Sequence, residues 1–253
     1  MTIRIGIDVG STTTKAVAVD ASGAVVARVI EPGDPRVGAQ AHRMLEALRE
    51  QVGAGKDVPI VATGYGRKLV PLATRKVTEI SCHARGAYHL VGREGALIDV
   101  GGQDTKVIRL GPGGAVADFA MNDKCAAGTG RFLEVILPRL GVAWEELADR
   151  FASDHAAVRI SSTCTVFAES EVISMLANGE HVDGVVKGLH VALSDRIAAL
   201  AGRLLVGVET VLLSGGVAGN AAMVAALSAK LGRPVQVVPD PQFVGALGAA
   251  LSG

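Results

Sequence analysis

The chain has 253 residues, of which 49% are hydrophobic and only 3% aromatic, and its 25 Lys and Arg residues balance 25 Asp and Glu residues. This length allows one large or two moderate domains with a buried core, and the balanced charge, without a long basic run, argues against nucleic acid as a partner. No apolar run approaches the roughly 20 residues that cross a bilayer, and no secretory-signal pattern opens the sequence. Three widely spaced cysteines do not make a disulfide framework, so we expect a cytoplasmic protein without membrane contact.

Apolar runs that end in glycine-rich turns alternate with segments whose apolar residues recur every three or four positions, a pattern typical of an α/β architecture. The first three strands follow one another through short turns, which predicts an antiparallel meander. The predicted strands are Ile3–Val9, Lys15–Val19, Ala24–Ile30, Val58–Ala62, Ala96–Val100, Thr105–Leu110, Val158–Ser162, Thr210–Leu213 and Val235–Val238. The predicted helices are Asp34–Val52, a segment around Ser81–Leu90, Ala126–Leu140, Ala143–Phe151, Val166–Ala177, His181–Leu205, Ala218–Leu231 and Phe243–Leu251. In the last of these, Gly245 and Gly248 would allow close approach to a neighbour.

Three of the strands end in a glycine-rich turn that carries hydroxyls or a carboxylate: Ile5–Lys15 (IGIDVGSTTTK), Leu97–Asp104 (LIDVGGQD) and Val211–Val217 (VLLSGGV). Glycine permits a tight turn and lets backbone N–H groups approach an oxyanion. Lys15 adds a positive charge, and Asp8 and Asp99 suit Mg²⁺, which prefers one or two carboxylates together with phosphate and water. Each unit alone is also compatible with an ordinary hairpin. The ordered set of three indicates a nucleotide site.

Two of the cysteines share a local setting, between a strand or loop and the predicted start of a helix. Cys125 precedes Ala-Ala-Gly-Thr-Gly, and Cys164 lies within Ser-Ser-Thr-Cys-Thr-Val-Phe. A helix N-terminus favours an anion, so a thiolate there would be a good metal ligand. The alternative is that both are small buried hydrophobes, the usual role of an intracellular cysteine. Two thiolates do not complete a tetrahedral site, whereas a two-fold homodimer would bring four, the ligand set of a 4Fe–4S cluster.

The order of the three strand–turn units resembles the superfamily of actin, hexokinase and heat-shock chaperone ATPases. The resemblance implies a two-lobed α/β, ribonuclease H-like fold with a nucleotide cleft between the lobes. Residues 1–108 would form the N-terminal lobe, with the helix at 241–253 packing back on it, and residues 109–240 a second lobe with the cysteines and a dimer interface. The candidate catalytic residues are Asp8, Asp99 and Gln103, which would organise Mg²⁺, in part through water, and the attacking water. The residues expected to contact ATP or ADP are Gly10, Ser11, Thr12, Thr13, Lys15, Gly101, Gly102 and Gln103 at the phosphates, and Gly215, Gly216 and Val217 at the nucleoside.

A closer resemblance covers essentially the whole chain. The segments MNDKCAAGTGRF, ISSTCTVFAESEVIS, ATGYGR, ISCHARGA, IDVGGQDTKVI, SGGVAGN and GALGAAL together are similar to the ATP-dependent activators of 2-hydroxyacyl-CoA dehydratases, a group that includes the ATPase subunits of benzoyl-CoA reductase. This implies an oxygen-sensitive homodimer with one 4Fe–4S cluster held by Cys125 and Cys164 of each chain. It also implies ATP-driven transfer of single low-potential electrons to a 2-hydroxyacyl-CoA dehydratase or a related iron–sulfur reductase, with ferredoxin or flavodoxin as the donor. No cluster role follows for Cys82.

Two alternatives follow from the nucleotide-binding units alone. A small-molecule kinase of the sugar type would use the same fold with an acceptor pocket and no iron. A nucleotide-dependent regulatory protein would bind nucleotide tightly with negligible turnover. The kinase hypothesis leaves the two cysteine segments without a role.

Overall fold

The computed structural model describes residues 2–162 and 164–253, so Thr163 of the second cysteine segment lies outside the described residues. The first sheet contains β1 (Arg4–Val9), β2 (Thr13–Val19), β3 (Val25–Pro32), β4 (Ile60–Thr63) and β5 (Arg75–Lys76), in the order β3-β2-β1-β4-β5. Both β1 and β3 pair with β2 in antiparallel fashion, which confirms the predicted meander, while β4 joins β1 and β5 joins β4 in parallel.

The second sheet contains β6 (Gly95–Val100), β7 (Thr105–Leu110), β8 (Val116–Asn122), β9 (Val211–Ser214) and β10 (Val235–Val237). Their order is β10-β9-β6-β7-β8, with β9 and β10 parallel. The sequence pattern missed β8, whose residues are at most half-buried and therefore show no continuous apolar run.

The helices are α1 (Val37–Gln51), α2 (Glu79–Val91), α3 (Gly130–Leu140), α4 (Leu147–Ala152), α5 (Thr165–Ala177), α6 (Val182–Ala201), α7 (Ala221–Leu231) and α8 (Val244–Ala250). Among these described helices, none is both long and apolar enough to span a membrane.

The first sheet is covered on both faces, because successive side chains of a strand point in opposite directions. In β2, Ala16 and Ala18 belong to a buried cluster that includes residues of α1, whereas Val17 and Val19 pack against residues of α8. The predicted close approach of α8 is confirmed at Gly248, where a Cβ would collide with the carbonyl of Cys82 on α2.

One predicted strand is wrong. Within the described residues, Val158–Ser162 forms no strand and pairs with none. Its amides bond elsewhere: Val158 N donates to the Gly184 carbonyl at 2.8 Å, and Ser161 N and Ser162 N donate to the Glu171 carboxylate, each at 2.8 Å. Because a side chain and a helix carbonyl satisfy these backbone donors, the segment needs no neighbouring strand.

By packing, the chain divides into two compact units. The first runs from the N-terminus to Leu97 and adds Ile108–Phe119 and Val238–Gly253, and the second contains Ile98–Val107 and Ala120–Val237. The lobe limits expected from the sequence stay a prediction.

Candidate functional site

The first strand–turn unit is the β1–β2 hairpin, closed by a hydrogen bond of 3.1 Å from the Gly10 amide to the Thr13 carbonyl. Asp8 pairs with Lys15 in the ladder, so their side chains lie on the same face of the sheet. Asp8 is buried, and the exposed residues at the tip are Ser11 and Thr12. The hairpin therefore presents hydroxyl and amide donors at its tip and a carboxylate and an ammonium at its base, which suits a phosphate with a divalent cation.

Two glycines from other elements enclose the Asp8 carboxylate. A Cβ at Gly64 would collide with its Oδ1, and a Cβ at Gly245 would lie 2.5 Å from its Oδ2 and 2.7 Å from His83 Cε1. His83 is held in turn by a contact of 2.9 Å between its Nδ1 and the Glu79 carbonyl. The sequence reasoning assigned these glycines and His83 no role at Asp8. The sequence pointed to them only because they lie in three of the segments that resemble the activator family, ATGYGR, ISCHARGA and GALGAAL.

The second unit is the turn between β6 and β7, and it repeats the closure of the first, with the Gly101 amide donating to the Asp104 carbonyl at 2.9 Å. Asp99 Oδ1 accepts a hydrogen bond of 2.7 Å from Ser214 Oγ, and Lys106 Nζ lies 3.5 Å from Asp99 Oδ2 and 2.7 Å from Asp104 Oδ2. Asp99 and Lys106 are both buried. The Asp99 carboxylate is thus fixed from two directions.

The sequence reasoning missed Lys106, although a signal for it exists. Lys106 follows Asp99 at the same offset as Lys15 follows Asp8, in DVGGQDTK and DVGSTTTK respectively. The two hairpins therefore share a carboxylate, a glycine-closed turn and a lysine. Gly102 is half-buried, and Gln103 is exposed at the tip of the second hairpin.

The third unit lies against the second. Gly215 follows β9 with a φ of 88°, and a Cβ there would collide with the carbonyl of Val100 at the end of β6. Only glycine permits both this φ and this approach. The structure thus brings the Gly-Gly turn beside Asp99, with Gly216 exposed and Val217 buried.

The segment that follows Cys125 differs from the prediction of one helix from Ala126 to Leu140. Cys125 precedes a short 3₁₀ turn, Ala126–Gly128, and Thr129 is extended (φ −135°, ψ 174°), so that α3 begins only at Gly130. The helix is interrupted at Thr129 because of the neighbouring hairpin. The amides of Gly130 and Arg131 bond to carbonyls of that hairpin and not to a preceding helical turn.

The second hairpin binds directly to this segment. Gly130 N donates to the Gly101 carbonyl at 2.8 Å, Arg131 N and Thr129 Oγ1 to the Gly102 carbonyl at 2.9 and 3.0 Å, and Thr105 Oγ1 to the Gly128 carbonyl at 2.6 Å. The turn expected to hold phosphate is therefore hydrogen-bonded to the segment that presents Cys125.

Cys125 and Cys164 have the accessibility that a ligand requires. Cys125 is exposed, and Asn122 holds its backbone by accepting from Cys125 N at 3.1 Å and donating to Cys125 O at 2.8 Å. Cys164 is also exposed and is the residue before the first turn of α5. Cys82, by contrast, is fully buried, and burial raises the pKa of its thiol to about 11.

This donor set fits half of a four-thiolate cluster site. Both thiols are exposed, and Cys164 directly precedes α5, where the first backbone N–H groups of the helix favour a bound anion. Cys125 lacks this helix start, because the first amides of α3 bond to the second hairpin. The third thiol is buried and resists deprotonation, so it does not belong to the set.

A second group of metal-type ligands, on α6 and the loop after α4, serves the helix instead. His155 and His181 stack at 3.6 Å, with each Nδ1 3.8 Å from Asp183 Oδ2. However, His181 Nδ1 already accepts from the Asp183 amide at 3.2 Å, and Asp183 Oδ1 binds Arg150 at 2.8 Å. His181 therefore caps the start of α6, and Asp183 is engaged by Arg150.

Comparisons with known proteins identify the family and the fold. A model described as the BadF/BadG/BcrA/BcrD ATPase family matches residues 5–253. The activator of lactoyl-CoA dehydratase from Anaerotignum propionicum is 49% identical, over 98% of this chain and 95% of its own length. The structure of the Acidaminococcus fermentans (R)-2-hydroxyglutaryl-CoA dehydratase component A has a TM-score of 0.92 at 41% identity, covering 100% of this chain and 98% of that one. The structure of the Clostridium difficile 2-hydroxyisocaproyl-CoA dehydratase activator with bound ADPNP has a TM-score of 0.89 at 41% identity, covering 99% and 93%.

These similarities confirm the α/β, actin-like ATPase fold and the family predicted from the sequence. The chain therefore belongs to the BadF/BadG/BcrA/BcrD ATPase family.

Proposed function

We propose that this protein is an ATP-driven activator that hydrolyses ATP and passes single electrons to a 2-hydroxyacyl-CoA dehydratase or a related iron–sulfur reductase. The observation that carries the proposal is the hydrogen-bonded link between the second hairpin and the Cys125 segment. It gives a physical route by which a change at a nucleotide phosphate could reach a redox ligand. The relatives named as dehydratase activators support the same function.

In this proposal, Cys125 and Cys164 of two chains hold one 4Fe–4S cluster, which when bound supplies a low-potential one-electron centre. Ferredoxin or flavodoxin is the proposed electron donor. Self-association is supported by α5, which begins directly after Cys164 and exposes the apolar side chains of Val166, Phe167 and Ile173. Exposed apolar side chains grouped in this way are typical of a protein interface.

The nucleotide part of the proposal assigns ATP and Mg²⁺ to the three strand–turn units. Asp8 and Asp99 would hold Mg²⁺ through water, and Gln103 would orient the attacking water. The backbone amides, hydroxyls and Lys15 of the two hairpins bind the phosphates, and Gly215 to Val217 contact the nucleoside. Loss of the γ-phosphate removes an anion from these donors.

Coupling then follows from the carbonyls of the second hairpin. Gly101 and Gly102 accept hydrogen bonds from the first amides of α3, so a change of the turn displaces the start of α3 and the segment before it. Two arrangements of that segment, favoured before and after hydrolysis, would make the chain a switch.

Iron and sulfide analysis of anaerobically purified protein tests the proposal. We expect about two iron atoms per chain, equivalent to one cluster per dimer, and little iron in Cys125→Ala or Cys164→Ala. Cys82→Ala is the matched control and should keep its iron, because that thiol is buried. The same preparations are then assayed for ATP-dependent activation of lactoyl-CoA dehydratase. Iron-free protein with full activating power would refute the cluster, and an iron-free chain that phosphorylates a sugar would favour the kinase alternative.

A further inference from the structure

One side chain holds both cysteine segments. Arg196 on α6 donates from Nη1 to the Ala127 carbonyl at 3.2 Å and from Nη2 to the Ser162 carbonyl at 2.7 Å. Ala127 follows Cys125 closely, and Ser162 closely precedes Cys164. The guanidinium therefore spans the two segments that present the exposed thiols.

The surroundings of Arg196 keep it in place. Its guanidinium lies over the Phe132 ring, with Cζ 4.7 Å from the centroid, and the residue is half-buried. Burial lowers the pKa of Arg196, and its Coulombic interactions with neighbouring groups, Asp195 and Glu171 among them, oppose that lowering. Since an arginine keeps its proton at neutral pH in proteins, the positive charge persists beside Cys125.

Glu171 completes the support of the second segment from the other side. Its Oε1 accepts from Ser161 N at 2.8 Å and from Ser161 Oγ at 2.6 Å, and its Oε2 accepts from Ser162 N at 2.8 Å. The hydrogen bonds from the two serines outweigh the effect of burial and lower the pKa of Glu171 to about 2. The backbone of Ser162 is thus bound at its N–H by Glu171 and at its carbonyl by Arg196.

We propose that Arg196 is a positioning residue that sets the separation of the Cys125 and Cys164 segments and places a fixed positive charge near Cys125. A planar guanidinium can bind two carbonyls at once, whereas the ammonium of a lysine is a point charge without that fork. The role of the charge rests on the proposed function, but the spacing role concerns the polypeptide alone. The two roles therefore need separate measurements.

Amide hydrogen exchange on the iron-free full-length chain tests the spacing role. Arg196→Met should speed exchange about tenfold in both segments together, at Thr129 and at Ser161 and Ser162. Arg139→Met is the control, because within the described residues Arg139 on α3 bonds to the Glu169 carboxylate and to no backbone carbonyl near either cysteine. Faster exchange in one segment alone, or in neither, would show that Arg196 does not hold the two segments together and would overturn the spacing role.

Anaerobic, iron-loaded protein tests the charge. Arg196→Met should shift the midpoint potential of the protein to more negative values, because removing a positive charge disfavours the added electron. Arg196→Lys keeps the charge and should restore the midpoint potential, but it should lose iron to a chelator as fast as Arg196→Met does. Where Arg196→Met fails to fold, Arg196→Lys is compared with the wild type instead. Equal potentials in the two variants would overturn the charge role. Wild-type protein without iron would instead refute the proposed function and leave the exchange result standing.

Discussion

Replacing Gly245 by alanine should reduce ATP hydrolysis without unfolding the protein. The new Cβ would lie 2.5 Å from Asp8 Oδ2 and 2.7 Å from His83 Cε1. Non-bonded heavy atoms prefer about 3.5 Å or more, so the Asp8 carboxylate must retreat by about 1 Å. Both obstructing atoms end flexible side chains, and alanine favours the helix by about 1 kcal/mol over glycine. The collision therefore displaces the carboxylate at little cost in stability.

The expected loss of activity follows from that displacement. A misplacement of about 1 Å in a catalytic arrangement costs about 100-fold in rate, which corresponds to about 2.7 kcal/mol of barrier. The assay is phosphate release from Mg·ATP under anaerobic conditions, with thermal unfolding followed by circular dichroism on the same preparation. We expect a Tm within a few degrees of the wild type.

Two control variants separate activity from packing. Gly248→Ala drives a Cβ into the Cys82 backbone carbonyl, which cannot rotate away, so α2 and α8 must separate. Such overpacking costs about 3 kcal/mol and should lower the Tm by about 6 °C or more. The Cβ of Gly55→Ala meets no atom of the described residues within 4 Å, so this variant should change neither quantity. Wild-type hydrolysis by Gly245→Ala would refute the reasoning, because Asp8 would then tolerate displacement.

Two further predictions concern the second compact unit, which contains Thr105 and His190. Thr105→Val removes the hydroxyl that binds the Gly128 carbonyl, so dehydratase activation should fall about fivefold, the value of one hydrogen bond of about 1 kcal/mol, while ATP hydrolysis and iron content remain. Thr74→Val, which removes a comparable bond to a strand carbonyl, should leave activation unchanged, and equal effects of the two variants would contradict the link. Burial lowers the pKa of His190 below its ordinary 6.5, although hydrogen bonds with Val186 and Asn220 oppose this. The unfolded chain therefore binds the proton more readily, and stability present above pH 6.5 should be lost as the pH falls below it. Urea unfolding at pH 7.5 and 5.5 measures this loss, and His190→Asn should remove the part that His190 contributes. If the free energy of unfolding of His190→Asn changed with pH as much as that of the wild type, the loss would not come from His190.

The strands and hairpins were predictable where local pattern decides them. The meander of β1, β2 and β3 follows from three apolar runs joined by short turns, and it is observed. Val158–Ser162, where apolar and polar residues alternate at Val158, Arg159 and Ile160, was also predicted as a strand but forms none within the described residues, because Glu171 and Gly184 bind the amides of Ser161, Ser162 and Val158. The predicted start of a helix at Ala126 failed for a related reason, since the carbonyls of the second hairpin take the first amides of α3.

The sequence by itself determined the family, the three strand–turn units and the two cysteines, because each is a run of neighbouring residues whose chemistry and spacing are local. Only the tertiary structure showed that Gly245 encloses Asp8, that Lys106 holds Asp99 and that Arg196 spans the two cysteine segments. Most of these contacts join residues far apart in the chain. They depend on how helices pack against strands, and a single sequence carries that packing only through the sum of many weak interactions.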